Sequence, residues 1–318
     1  MGKLPSKVPM KCAVFGGGGF IGSAICDRLL EGGHSVRIFE RPKVQPYRAF
    51  DRGEDVEWME GDMLSEGDLK RCLQDMDAVF HLVSTTLPKS SNEDPIYDVE
   101  SNLVGSLRLL ETMVAQKVGR IIFISSGGTV YGTPEYLPLD EKHPTNPIVS
   151  YGITKLAIEK YLRLYRDLHD IKPVILRVSN PFGSKQRVES AQGAVTAFIQ
   201  KALRKEPIEI WGDGSVTRDY LHVSDVAEAF FKALDYQGDE LIFNISSGRG
   251  TNLNELVDII SNSVGQQVER VHLPGRDFDI PSNILCNKLA SKELEWVPEL
   301  SMEQGIRRTI QELQEERR

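Results

Sequence analysis

Four consecutive glycines, Gly16 to Gly19, stand between a short apolar run and a helix-patterned segment, and that junction constrains the fold more than any other stretch of the chain. Cys12 to Phe15 leads in and reads as a buried strand. Ser23 to Leu30 follows with Ile25, Leu29 and Leu30 at helical spacing. Glycines at such a turn let the backbone come close to an anion, and the helix start beyond them offers free N–H groups and a positive dipole end. The spacing Gly16-x-x-Gly19-x-x-Gly22 departs from the Gly-x-Gly-x-x-Gly dinucleotide fingerprint, although Gly17 to Gly22 also satisfies that pattern.

The second strand-like segment, Ser35 to Phe39, ends at Glu40, eighteen positions beyond Gly22. An acidic residue at about this distance meets the ribose 2′-hydroxyl in dinucleotide sites. A carboxylate there accepts hydrogen bonds and repels a 2′-phosphate, which favours NAD over NADP. Arg41 pulls the other way, since a guanidinium pairs with that phosphate.

Tyr151 and Lys155 lie four apart in Tyr-Gly-Ile-Thr-Lys. On a helix they share a face. A free tyrosine ionises near pH 10. A neighbouring ammonium favours the phenolate, so the expectation is a lowered Tyr151 pKa and a general base that works near neutral pH.

A length of 318 residues suits one large or two smaller domains. The formal charge of −8 and pI near 5.4 argue against a nucleic-acid surface. No run of eighteen apolar residues appears, so no membrane span is expected. The start, MGKLPSKVPM, lacks the apolar core of a secretory signal, and the cytosol is the default compartment. Cys12, Cys26, Cys72 and Cys286 are scattered, and the six histidines show no ligand spacing, so neither a disulfide framework nor a metal site is expected.

Candidate strands are 11–15, 35–39, 56–60, 78–82, 120–125 and 174–178, with candidate helices at 22–31, 65–73, 99–116 and 150–168. The alternation implies right-handed βαβ units, and hence an α/β fold with a Rossmann-type doubly wound parallel sheet. Its ligand site belongs at the strand C-terminal ends. After Ser179 the apolar segments shorten and the loops lengthen, which reads as a smaller α/β substrate-binding lobe. The expected division is 10–179 plus about 220–245 for the NAD-binding domain, and 180–219 plus 246–318 for the lobe.

Further segments add to the pattern. They are Gly61-Asp62-Met63, Phe80-His81-Leu82-Val83, Asn102-Leu103-Val104-Gly105, Thr129-Val130-Tyr131-Gly132, Leu176 to Pro181 and Arg218 to Asp225. With these in order, the chain resembles the extended short-chain dehydrogenase/reductases, and more narrowly the nucleotide-sugar epimerases, nearest the UDP-glucose 4-epimerases. The resemblance runs from about Met10 to Leu313.

It implies NAD-dependent C4 epimerisation of a UDP-hexose. Gly16, Gly19, Phe20, Ile21 and Gly22 would hold the pyrophosphate, and Asp62 and Met63 would border the adenine. Leu82, Val83, Ser84 and Ser125 would line the cofactor, with Asn102 near it and Val178 on the nicotinamide side. Lys155 would bond the nicotinamide ribose. Asn180 would approach the sugar diphosphate, Arg218 and Arg276 would pair with its phosphates, Trp211 would border the uracil, and Asp279 would contact the uridine ribose. The family's helices matching 99–116 and 150–168 pair across a twofold axis, which implies a homodimer. Local readings also stand: Arg218 beside Asp219 fits an ion pair, and Trp211 fits core packing.

The pattern breaks at Gly127, where the family carries Ser or Thr three residues before the valine of Val-Tyr-Gly. Ser126 or Thr129 is the expected substitute. The acids that dehydratases carry after that position are missing, since Gly128 and Thr129 follow, which argues against dehydration. Asn283, four residues after Asp279, is a candidate selectivity position of intermediate size that would admit N-acetylhexosamines. The alternatives are another nucleotide-sugar oxidoreductase, a uronate epimerase, or a catalytically weakened dinucleotide-binding regulator.

Overall fold

The computed structural model describes residues 8–315 apart from 52, 89, 188–192 and 276–279. The larger sheet is built from β1 (Lys11–Phe15), β2 (Ser35–Glu40), β3 (Val56–Glu60), β4 (Ala78–His81), β5 (Arg120–Ser126), β6 (Lys172–Val178) and, later in the chain, β10 (Ile242–Ile245). Four strands between and after these, β7 (Asn180–Phe182), β9 (Thr217–His222), β11 (Gly250–Asn252) and β13 (Ser282–Asn283), form a second sheet. β8 (Ile208–Trp211) pairs with β12 (Arg270–Leu273) in a third.

The helices are α1 (Phe20–Glu31), α2 (Glu66–Leu73), α3 (Pro95–Asp98), α4 (Gly105–Gln116), α5 (Ser150–Leu168), α6 (Ala194–Arg204), α7 (Val223–Leu234), α8 (Leu253–Val264), α9 (Lys288–Glu293) and α10 (Met302–Glu315). Expected helix 99–116 is in fact two pieces: Val99–Val104 winds as a π-helix before α4 begins.

The seven strands are parallel and run in the order β10-β6-β5-β4-β1-β2-β3. The doubly wound order follows from right-handed crossovers, which carry the chain outward from β1 in one direction and then from β4 in the other. Strand alternation feeds two cores. Val14, Phe80, Ile122 and Leu176 face one side, where they meet Ile25 and Leu29 of α1 and Phe230 of α7. Ala13, Val79, Ile121, Phe123 and Ile175 face the other, against Leu109 and Met113 of α4 and Ile158 and Leu162 of α5. Both faces being covered explains why β1 and β4 read as continuous apolar runs rather than alternating ones. The strand order reverses between β1 and β4, so the loops after these two strands flank the crevice where such sheets bind ligands.

A third core, with Phe182, Val195, Ile199, Leu256, Ile260 and Ile306, lies under α6, α8 and α10. Asp219, fully buried on β9, fastens this part of the chain. It accepts from the N–H of Ser247 (2.9 Å) and Gly248 (3.1 Å) and from the Ser247 hydroxyl (2.7 Å).

Candidate active site

Gly16 leaves β1 with φ of +87°, a backbone state that favours glycine, and its N–H donates to Phe39 O at 3.0 Å. A Cβ at Gly22 would stand 2.0 Å from Gly16 O, so α1 packs against the loop at a distance only glycine allows. No side chain caps α1, and its first-turn N–H groups are left for an anion. Glu40 closes the loop's far side: its Oε1 accepts from Gly18 N at 2.9 Å. Burial raises its pKa, against the Gly18 hydrogen bond and the Arg41 charge.

A cavity of about 1160 Å³ opens over this loop. Gly16 and Gly19 form its floor, Glu40 and Arg41 one rim, and Asp62 and Met63 another. Leu82, Val83 and Ser84 line it from the end of β4. The glycine cradle, the uncapped helix and the rim carboxylate fit a dinucleotide such as NAD.

A second cavity, of about 420 Å³, has Phe20 and Ile21, the residues directly after Gly19, in its lining. It gathers Ser125, Ser126 and Thr129 from the end of β5, Tyr151 from α5, and Val178, Asn180 and Arg218 from β6, β7 and β9. Thus most of the residues singled out from sequence come together at the switch point. Gly22 and Lys155 lie just behind the walls.

The start of α5 is held unusually firmly. Ser150 N donates to Asn92 Oδ1 (2.9 Å) and Tyr151 N to Ser91 Oγ (3.0 Å). The hydroxyls of Ser150 and Thr154 donate to Asp98 Oδ2 at 2.8 and 2.7 Å. Lys155 Nζ donates to Ile124 O at 3.1 Å and lies 5.7 Å from the centre of the Tyr151 ring.

The expected lowering of the Tyr151 pKa is corrected here. Burial pushes the phenol up to about 12; a hydrogen bond with the Ser84 hydroxyl works against that rise, and the Asp98 charge adds to it. Burial also brings Lys155 down to about 8, although Asp98 and Glu159 both raise it. Desolvation dominates both shifts, because a charge taken out of water with no full countercharge is costly.

Several side chains have different surroundings from those expected. The Ser125 hydroxyl donates to Glu159 Oε1 at 2.5 Å, so it is spent on a buried pair in which Arg177 Nη2 meets Glu159 Oε2 at 2.6 Å. Asn102 is buried; its Oδ1 accepts from Thr85 N at 2.9 Å and its Nδ2 donates to Asp98 Oδ1 at 3.0 Å, so its amide braces the loop after β4. Asn283 is buried behind the loop that follows β5, with Nδ2 donating to Gly127 O at 3.3 Å.

Gly127 itself points away from the cavity: a Cβ there would stand 2.3 Å from Leu285 Cδ1. Ser126 and Thr129 line the cavity with Tyr151, as do Ser125, Ser179 and Tyr220, and Thr129 Oγ1 and Ser179 Oγ are buried with no hydrogen-bond partner among the described residues. Asn180 Nδ2 donates to Asp219 O at 2.9 Å, and Arg218 Nη1 to Ile280 O at 2.7 Å. Trp211 ends β8 in register with Leu273, and it is 42% exposed. Arg276 and Asp279 lie outside the described residues.

Sequence reasoning missed Lys43, Tyr47 and Tyr97 on the larger cavity, and Ser91, Asn92 and Asp98 behind α5. Asp98 and Asn102, four apart on one helical stretch, carried the one available signal. Among the described residues, no group of three or more His, Cys, Asp or Glu is placed to hold a metal ion, and no helix is long and apolar enough to cross a membrane.

Residues 12–246 match the model of the NAD dependent epimerase/dehydratase family. The chain belongs to that family. Its epimerase relatives include the UDP-glucose 4-epimerase of Mycolicibacterium smegmatis, 34% identical over 307 residues, covering 95% of this chain and 98% of that one. Two similar folds come from UDP-glucose 4-epimerases. That of Thermotoga maritima, solved with UDP-glucose, has a TM-score of 0.92 at 33% identity and covers 97% of this chain and 100% of that one. That of Thermus thermophilus, solved with NAD, has a TM-score of 0.87 at 31% identity and covers 96% and 99%. The NAD dependent epimerase/dehydratase assignment and the glycine cradle agree on the cofactor: this chain uses NAD.

Proposed function

We propose that the protein interconverts the C4 epimers of a UDP-hexose, UDP-glucose and UDP-galactose first among them, through a 4-keto sugar. The observation that carries this reading is the shared cavity of Tyr151, Ser126, Thr129 and Arg218 beside the dinucleotide cradle. When bound, NAD supplies the hydride acceptor and donor.

Tyr151 takes the proton of the sugar 4-hydroxyl and returns it. Its phenol starts out protonated, so ionisation needs positive charge near the oxygen: Lys155 supplies part, and the Ser84 hydrogen bond favours the same form. Ser126 or Thr129 bridges the reacting oxygen and the phenol. Arg218 pairs with the diphosphate, with Arg276 as the second cation; charge-assisted bonds of this kind are strong. Asn180 borders the same phosphates, Trp211 the uracil, Asp279 the ribose, and Asn283 bounds the sugar pocket indirectly through the loop at Gly127.

The direction of Gly127 counts against a weakened regulator, because a hydroxyl at that position would face Leu285 and not the sugar. Ile153, Tyr161, Leu164 and Leu168 form an exposed apolar stripe along α5, which supports a homodimer through that helix. The acidic composition and the dissolved substrate support a cytoplasmic site of action.

The test is to incubate the purified protein with UDP-glucose, UDP-galactose and their N-acetyl and uronate analogues, and to read the stereochemistry at each carbon by NMR. Inversion confined to C4 without added NAD and without net NADH supports the reading. Net oxidation, inversion elsewhere, or full activity of Tyr151→Phe overturns it.

A further inference from the structure

Asp98 ends the four-residue α3 and is followed at once by the π-helix Val99–Val104. Such wide turns are rare and cluster at functional sites. The carboxylate is fully buried, and four donors converge on it. Oδ1 accepts from Asn102 Nδ2 (3.0 Å) and from the Thr86 hydroxyl. Oδ2 accepts from the hydroxyls of Ser150 (2.8 Å) and Thr154 (2.7 Å). The Asn102 amide is oriented by Thr85 N–H, an unambiguous donor, so its NH₂ faces Asp98.

All four donors are neutral. They satisfy the oxygens but supply no countercharge, which a buried carboxylate otherwise lacks. We propose that Asp98 is a positioning residue for the proton transfer: its buried charge pins the first turn of α5 and keeps Lys155 protonated beside the Tyr151 phenol. The proposal rests on the epimerase reading above.

The surroundings single Asp98 out. Besides Asp98, Glu159 on the same helix acts on Lys155, and His81 on β4 feels the Lys155 charge. Glu111 and Tyr165, where α4 meets α5, bond each other further along the helix. Glu159 is already committed to Arg177 and Ser125. His81 is neutral: burial, with the Lys155 charge adding to it, brings the ring down to about 3. Among the described residues, Asp98 is therefore the carboxylate that acts on Lys155 without an Arg partner, and it opposes the burial that draws the ammonium's pKa down. Lys155 follows Thr154 directly, so one turn of helix carries both the bond to Asp98 and the charge it supports.

The test uses the full chain with bound NAD and lysine labelled with ¹³C at Cε, the Lys155 resonance being assigned by its loss in Lys155→Arg. Asp98→Asn keeps the shape and removes the charge. A nearby countercharge is worth roughly one to three pH units, so the Lys155 titration should move down by about one unit or more. The alkaline limb of the kcat profile should move with it while KM holds. Ser150→Ala/Thr154→Val removes two donors and keeps the charge; it should lower stability and leave the titration in place.

An unmoved Lys155 titration in Asp98→Asn overturns the proposal even if kcat falls, since a structural role alone would do that. So does an equal shift in Ser150→Ala/Thr154→Val, which stands as the test if Asp98→Asn fails to fold. Absence of sugar turnover in the unaltered protein would sink the epimerase reading, whereas the NMR titration still decides the role of Asp98.

Discussion

Reinstalling a serine at position 127 should not improve this enzyme. An ideal Cβ at Gly127 lies 2.3 Å from Leu285 Cδ1 and 3.3 Å from the carbonyl oxygens of Arg177 and Val178. Neither side yields easily. Gly127 N donates to Val178 O at 2.9 Å. Leu285 is fully buried with Val130, Tyr131 and Leu139, and its neighbour Cys286 donates to Leu139 O at 2.7 Å. The strain therefore falls on the Leu285 side chain. Overpacking of this kind costs about 1–3 kcal/mol. The new hydroxyl would meet main-chain carbonyls rather than the sugar, so kcat should not rise. Leu285→Ala alone should cost about 2–5 kcal/mol. The double variant should cost less than the two added, with a coupling of roughly 0.5–3 kcal/mol, because each change relieves the other. Urea unfolding at constant m reads the stabilities, and coupled UDP-hexose turnover reads kcat. A Gly127→Ser protein that loses under about 0.5 kcal/mol and turns over faster would show that the Cβ at this position does not point at Leu285.

Three other variants probe the site. Thr129→Val removes a buried hydroxyl that has no partner, so stability should hold or rise. If that hydroxyl bridges sugar and phenol, kcat should fall by about 10²–10⁴-fold, with Ser126→Ala as the competing assignment; equal turnover in both variants excludes either as the bridge. Glu40→Gln keeps an acceptor for Gly18 N–H and removes the charge that repels a 2′-phosphate. Fluorescence titration should show NADP binding gaining while NAD changes little, and an unchanged ratio would remove Glu40 as the discriminating group. Lys155→Met concerns stability against pH. The folded pKa lies below the unfolded one, so the penalty of the buried ammonium is fully present below about pH 8 and fades as pH rises toward 10.5. The advantage of Lys155→Met over the parent in urea should therefore be largest near neutrality and shrink by pH 10. An advantage independent of pH would mean that the ammonium is not desolvated.

The sheet was legible because its signals are local. An apolar run, a glycine turn and a helical period sit next to each other in the chain at β1 and α1, and the same βα grammar repeats through β6. The glycine cradle and the Tyr151–Lys155 pair were legible for the same reason, since their spacing along the chain is also their spacing in space. What failed to show was non-local. β7, β11 and β13 are two or three residues long and exist because β9 pairs with them, so no periodicity marks them. The sign of the Tyr151 shift depends on how much protein covers the phenol, and nothing in Tyr-x-x-x-Lys reports that. The π-turn was hidden because Val99–Gln116 keeps a helix-like apolar pattern across it. The bonds of Asp98 join three stretches, around Thr86, Asp98–Asn102 and Ser150–Thr154, and the last is too far along the chain for local spacing to report it.

These contrasts bear on how one site could reach both faces of a sugar. The backbone that carries Tyr151 is fixed: its N–H is bonded to Ser91, the residue before it to Asn92 and Asp98, and Thr154 one turn on to Asp98 again. The loop carrying Ser126 and Thr129 is pinned at Gly127 from β6 and from Asn283. With both proton-handling elements fixed, the moving part must be the sugar. The smaller cavity suits that division. Arg218 is its one charged side chain among the described residues, which suits the diphosphate anchor proposed above. Its other hydrogen-bonding side chains, among them Ser126, Thr129, Ser179, Asn180 and Gln186, are neutral, so they hold a hexose less strongly than the guanidinium holds a diphosphate. Tight hold at the diphosphate and weak hold at the ring let a ketone intermediate turn about its phosphate linkage without leaving, and a rigid phenol then meets whichever face is presented.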